Sequence, residues 1–202
     1  MRPLALALSL MLAAAAAPRA GRAASFQPDL EKALDSRIKE LRRSGMIGAD
    51  ERTAWVVFDI TTGRKLASIN EDEPFEAASL IKPFLALAYF HQVKAGKFAY
   101  GPRERSRMEA MIQRSDNAAA DWVMRRLGGP SATERLLRRN YGGLLRDLRL
   151  VEYIPAGGRT YRNKASAHDY SRFLYAAWTN ELPNSAEIRR LMHLPNRDRL
   201  YS

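Results

Sequence analysis

In the stretch "FEAASLIKPFLALAYFHQV", Ser79 and Lys82 stand three residues apart at the mouth of an apolar run. On a helix that spacing places hydroxyl and amine on one face, within hydrogen-bonding reach. An amine accepts the hydroxyl proton only in its neutral form, which withdrawal from water or a second cation favours. The amide groups of a helix's first turn would meanwhile face negative charge developing on a substrate oxygen. The pair therefore fits nucleophilic acyl transfer.

Spacing alone is common: Ser36 and Lys39 repeat it in "SRIK", mid-helix on a charged face, where it does no chemistry. Ser115-Asp116-Asn117 is far rarer, since a given tripeptide of this kind arises about 0.03 times by chance in a chain this long. It lies at the junction of two expected helices, where the outer side chains Ser115 and Asn117 can point into one cleft while a residue of the turn caps the second helix.

These two segments carry a resemblance. "AASLIKPF" followed by "MIQRSDNAAADWVMRRLGGP" resembles the class A β-lactamases and the related penicillin-binding serine hydrolases, whose first two motifs are Ser-x-x-Lys and Ser-Asp-Asn. The similarity runs from the first helix through "NKASAHDYSRFL". It implies an α+β, β-lactamase-like fold: an antiparallel sheet flanked by helices, with an all-helical subdomain between its two sequence halves. It also implies that Ser79 is the acylated nucleophile, Lys82 its base or proton relay, and Ser115 the proton donor to the leaving nitrogen. Asn117 would hydrogen-bond the substrate amide, Asp116 would be structural, and the Ser79 N–H would form half of an oxyanion hole.

Three departures from the family pattern follow. No Lys-Thr-Gly or Lys-Ser-Gly occurs after Ser115, and the sequence stops at Ser202 ahead of the strand that carries it in the family. The remaining strands are therefore expected in a further segment, and residues 1–202 alone are expected to fold poorly and to take no covalent label from a fluorescent penicillin. The Glu-x-x-Leu-Asn string of the deacylating glutamate is absent, which leaves Glu152 in "RLVEYIPAGGRTYRN" as the candidate base. Finally, the segment from Lys82 to Ser115 is short for the family, so one wall of the cleft should be low and better suited to a peptide than to a compact antibiotic.

The elements that must position these residues are readable from pattern. Leu30, Leu34, Ile38 and Leu41 recur at helical spacing from Pro28 to Arg43. "TAWVVFDITTGRKLASIN" is a hairpin turning at Thr61-Thr62-Gly63-Arg64. After Phe75 come helices only: one from Ser79 to near Gly96, one in "RERSRMEAMIQRS", one in "NAAADWVMRRLGGP", then two with expected capping boxes, Ser131 with Glu134 and Ser166 with Asp169, and a last one after Ser185. A lone hairpin is marginal, so Trp55, Val57 and Ile60 should need further cover. The chain divides into residues 26–74, a helix and hairpin, and 75–202, the helical part with both motifs.

Residues 1–23 read as an export signal: an early Arg2, an apolar run from Leu4 to Ala17, and small residues around Ala23. The expected location is periplasmic or secreted, with no stable membrane span. Without Arg2, Arg19 and Arg22 the formal charge of +11 becomes +8, spread over amphipathic helices as a solvated face, so nucleic acid is not expected as a partner. There is no cysteine, and a core without disulfides must suffice. His91, His168 and His193 stand apart in the sequence, no metal site or cofactor is expected, and the histidines are read as helix-surface residues; Trp55, Trp122 and Trp178 are read as core. The function expected is an exported serine hydrolase acting through an acyl-enzyme on β-lactam amides. The alternatives are a cell-wall D-alanyl-D-alanine peptidase and a penicillin-sensing domain that does not turn over. Its partner would be a small β-lactam or a cell-wall peptide, and the protein a monomer.

Overall fold

The structure, a computed structural model, describes residues 28–155 and 162–195; the segment read as an export signal lies outside them. Helix α1 (Pro28–Arg43) has acids in its first turn and arginines in its last, complementing its dipole. Strands β1 (Trp55–Asp59) and β2 (Arg64–Ile69) form the expected antiparallel hairpin, irregular between Val57 and Phe58. Gly63 at the turn has φ of +68°, and a side chain there would meet the Tyr175 hydroxyl at 2.6 Å, so both backbone and space favour glycine.

The hairpin is held between helices. Helix α1 packs on β2, and α6 (Ala167–Trp178) packs on β1, where Tyr175 meets Phe58 edge-on at 5.1 Å between ring centroids. A second pair escapes sequence pattern: β3 (Phe75–Glu76) and β4 (Lys164–Ala165) are antiparallel strands of two residues each. Such short strands carry no period to detect.

Helix α2 (Lys82–Lys94) is the centre of the helical part. Lys82 through Phe90 are all buried, so it is apolar all round, and α3 (Pro102–Gln113), α4 (Asn117–Arg126), α5 (Pro130–Tyr141) and α7 (Ser185–Met192) pack against it. Phe84 meets Tyr170 and Phe173 of α6 edge-on, tying α2 to the helix that packs on the hairpin.

A side-chain cap decides where α6 begins. At α6 the Ser166 hydroxyl accepts from the Asp169 N–H at 3.1 Å, and the Asp169 carboxylate accepts from the Ser166 N–H at 3.3 Å. Ser166 also donates to Asp147, and the Asp147 N–H donates to Asp169. Burial pushes the Asp169 carboxyl above its ordinary pKa, against these amide hydrogen bonds. The box expected at Ser131 and Glu134 does not form. Helix α5 starts two residues earlier than that cap requires, at Pro130 after Gly129, and Glu134 instead accepts from the Leu150 N–H at 2.9 Å and pairs with Arg138.

Two tryptophans are also corrected. Trp55 and Trp178 are 41% and 56% exposed, because each is the terminal residue of its element and reaches past the core. His168, expected on a surface, is buried beside Arg146 and Asp72, and its backbone N–H donates to the Glu71 carbonyl.

Phe84→Ala should cost about 3–5 kcal/mol in urea unfolding, the loss expected for an aromatic ring from a closed core. His168 supplies a pH test. Burial first, and Arg146 next, lower its pKa below 6.5, with Arg172 adding and Glu71 and Asp72 opposing. The unfolded chain then binds the proton more readily, so this contribution is complete above about 6.5 and lost as pH falls through that value toward the folded one. Stability should drop from about pH 7 to about pH 5, and His168→Asn should make that dependence shallower; an unchanged slope would contradict it.

Candidate active site

Ser79 lies in a 3-10 turn, Ala78–Ile81, that runs straight into α2. The turn is entered through Ala78 at φ of +44°, a strained conformation for a residue with a side chain. Pro83 is accommodated in the first turn of α2, where its missing N–H costs no intrahelical bond. Lys82 is 2% exposed, and Ser79 sits half-buried at the edge of solvent.

The Lys82 amine donates to Ser79 Oγ at 3.2 Å, to Ser115 Oγ at 2.6 Å, to the Ser115 carbonyl and to Asn117 Oδ1 at 2.9 Å. Ser115 Oγ donates to Ser79 Oγ at 2.6 Å. The three side chains thus close a triangle, with four oxygens gathered around an amine that has at most three protons. Four of the five residues marked by the two motifs, Ser79, Lys82, Ser115 and Asn117, meet at one point.

The second arm of this site is a turn under strain. Ser115 has φ of +55° between α3 and α4. Its neighbour Asp116 holds the turn from both sides: its N–H donates to the Ala110 carbonyl at 3.0 Å, and its carboxylate accepts from the Ala119 N–H at 2.7 Å, capping α4. Asn117 is the first residue of that helix.

Ser79, Lys82 and Ser115 open into a cavity of about 200 Å³ whose other walls include Met111, Ile112, Tyr170 and Met192. Sequence pattern had not singled out Tyr170 or Met192, which come from α6 and α7 far along the chain. Burial pushes Tyr170 up to about 12, so at neutral pH its hydroxyl stays protonated.

Glu152 is not brought to this cavity. Its carboxylate accepts from the Arg162 N–H, and its carbonyl accepts from Asn163 Nδ2 at 3.0 Å. Asn163, which the sequence reading did not mark, is 1% exposed and ties the Glu152 segment to the approach to Ser79. Its side-chain oxygen accepts from the Val151 and Glu152 N–H groups, and its backbone carbonyl accepts from Ala77 N.

The other Ser-x-x-Lys pair is a surface feature, with Lys39 paired to Asp35 at 2.7 Å. Glu71, Asp72 and His168 offer potential metal-ligand atoms within 4.8 Å of one another. Lys65 pairs with Glu71 and Arg146 with Asp72, so the group already has its cations and fastens the segment after the hairpin to α6. Among the described residues no helix is long and apolar enough to cross a membrane.

The triangle brings together the groups that acyl transfer needs, a hydroxyl, an amine and a relaying hydroxyl. In its neutral form the Lys82 amine would hold a lone pair 3.2 Å from Ser79 Oγ, while Ser115 links the amine to whatever sits beyond Ser79.

Comparison with known proteins identifies the family and the fold. A model described as the β-lactamase enzyme family matches residues 33–105 and 103–200. Among solved structures, a variant of the class A β-lactamase of the last common ancestor of Gram-negative bacteria superposes with a TM-score of 0.63 at 24% identity, over 82% of this chain and 71% of that one. An ancestral class A β-lactamase gives 0.60 at 24%, over 78% and 68%. A further variant, bound to the transition-state analogue 5(6)-nitrobenzotriazole, gives 0.60 at 25%, over 79% and 68%. No curated protein matches the chain.

The Asp116 cap is open to test through stability. Asp116→Ala should cost about 1 kcal/mol in denaturant unfolding, whereas Asp116→Asn, which caps equally well, should keep most of it. Equal losses in the two variants would contradict the capping role.

Proposed function

The chain belongs to the β-lactamase enzyme family, and we propose that it uses Ser79 to open the amide of a β-lactam through an acyl-enzyme. It is a β-lactamase-like serine hydrolase, and export to the periplasm or the exterior is part of the proposal. The observation that carries the catalytic assignment is the triangle of Ser79, Lys82 and Ser115, closed by hydrogen bonds of 3.2, 2.6 and 2.6 Å.

In the proposed reaction the neutral Lys82 amine takes the Ser79 proton as Oγ bonds to the lactam carbonyl carbon. The Ser79 N–H, in a first turn where amides lack intrahelical acceptors, faces the carbonyl oxygen as it becomes negative. The carbon–nitrogen bond then breaks, and the ring nitrogen receives the proton from Lys82 by way of Ser115. Water cleaves the resulting ester and restores Ser79. Asn117, held by Lys82, would orient the amide side chain of the substrate.

One observation favours a second reading, in which the enzyme is acylated and released slowly, as a peptidase or a penicillin sensor would be. Glu152, the candidate deacylating base, does not line the cavity that holds Ser79, and its carboxylate is engaged by the Arg162 N–H.

Kinetics separate the two. Expressed from its complete coding region, the protein should turn over the chromogenic cephalosporin nitrocefin steadily; a single stoichiometric burst without turnover favours the second reading. In either case Ser79→Ala should lower the rate at least about a thousandfold. Full activity in that variant would remove Ser79 as the nucleophile.

A further inference from the structure

Opposite the Ser79 end of α2 lies a second concave surface with a different character. A cleft of about 400 Å³ between the C-terminal end of α2 and α5 is lined by His91, Lys97, Arg135 and Arg139 over a floor that includes Leu127 and Leu136. No acid lines it. The other basic clefts do contain acids: Asp116 beside Arg103, Arg107 and Arg114, and Glu76 with Asp147 beside Arg149 and Lys164.

Helix energetics alone do not account for this arrangement. Arg135 and Arg139 are four residues apart on α5, a like-charge spacing that weakens a helix, while the adjacent stripe places Glu134 against Arg138 in the favourable manner. Arg139 in the last turn complements the helix dipole, but Arg135 lies mid-helix, beyond its reach. Among the described residues, Glu134–Arg138 is the ion pair of α5.

His91 faces the same cleft. Its Nδ1 is 2.9 Å from the Tyr141 hydroxyl, and burial pushes that phenol up to about 12, so it remains protonated. Burial first, then Lys94 and Lys97, lower the pKa of His91. The surroundings, Lys94 at the end of α2 and Lys97 beyond it with Arg135, Arg139 and Tyr141 from α5, supply positive charge and donors, and no acid is among the residues lining the cleft.

We propose that this cleft binds a phosphate-type oxyanion. Two guanidinium forks and an ammonium around one cavity match an anion with several oxygens and a charge near two better than they match a single carboxylate. His91 is nine residues beyond Lys82, about 14 Å along the helix, so the site is separate from that of Ser79 and does not depend on its assignment.

Titration of the protein with inorganic phosphate, at ionic strength held constant with chloride, tests this through the His91 ring resonances. The expected result is a saturable shift and a rise in the His91 pKa, as the anion offsets Lys94 and Lys97. Glycerol 3-phosphate is run in parallel; saturation by either ligand supports the cleft, and the tighter of the two identifies free phosphate or an ester as the source. Arg135→Gln with Arg139→Gln should weaken binding at least about tenfold, with far-UV circular dichroism unchanged because both side chains are exposed. Lys97→Gln gives a second, independent loss. Shifts that chloride reproduces, or unaltered affinity in these variants, would overturn the proposal.

Discussion

One amine sets the terms for this structure. Lys82 is placed at the start of a helix that is otherwise apolar on every side, in a position 2% exposed. Burying such a group without partners would cost several kcal/mol, so its proton-bearing nitrogen must be met by oxygens. Those oxygens come from two separate places, Ser79 on its own turn and Ser115 with Asn117 across the cleft. The requirement that stabilises the lysine is therefore also the one that assembles the site.

The surrounding fold serves that assembly by restraining two strained turns. Ala78 and Ser115 both adopt positive φ, and each is held by interactions outside itself. The approach to Ser79 is fixed by Ala77 bonding to buried Asn163 and by the β3–β4 pair, which is continuous with the Ser166–Asp169 cap of α6. The Ser115 turn is fixed by Asp116, which joins the end of α3 to the start of α4. Edge-to-face contacts of Phe84 then lock α2 to α6, so the wall that carries Tyr170 keeps its place beside Ser79.

The sequence was most informative where structure is local. Helix α1, the hairpin and the Ser166–Asp169 cap follow from period, turn residues and spacing, and each appears as read. Ser79, Lys82, Ser115 and Asn117 were legible because their types and spacing stand out, and the structure brings these four side chains together. What failed depended on distant partners. Ser131 and Glu134 look like a cap until Leu150 takes the glutamate, and His168 looks exposed until Asp72 and Arg146 close over it. Asn163, Tyr170 and Met192 had no signal at all, since a buried hydrogen-bond hub or a cavity wall is defined by segments remote in the chain.

The central claim is that the Ser79 hydroxyl, beside the Lys82 amine, is the atom that becomes acylated. Its most direct test is peptide mapping by mass spectrometry, with the protein expressed from its complete coding region and quenched early in its reaction with a penicillin. The account predicts a single penicilloyl adduct on the peptide containing Ser79, absent when Lys82 is replaced by methionine. An adduct on another residue, or β-lactam hydrolysis with no covalent intermediate at any quench time, would contradict it.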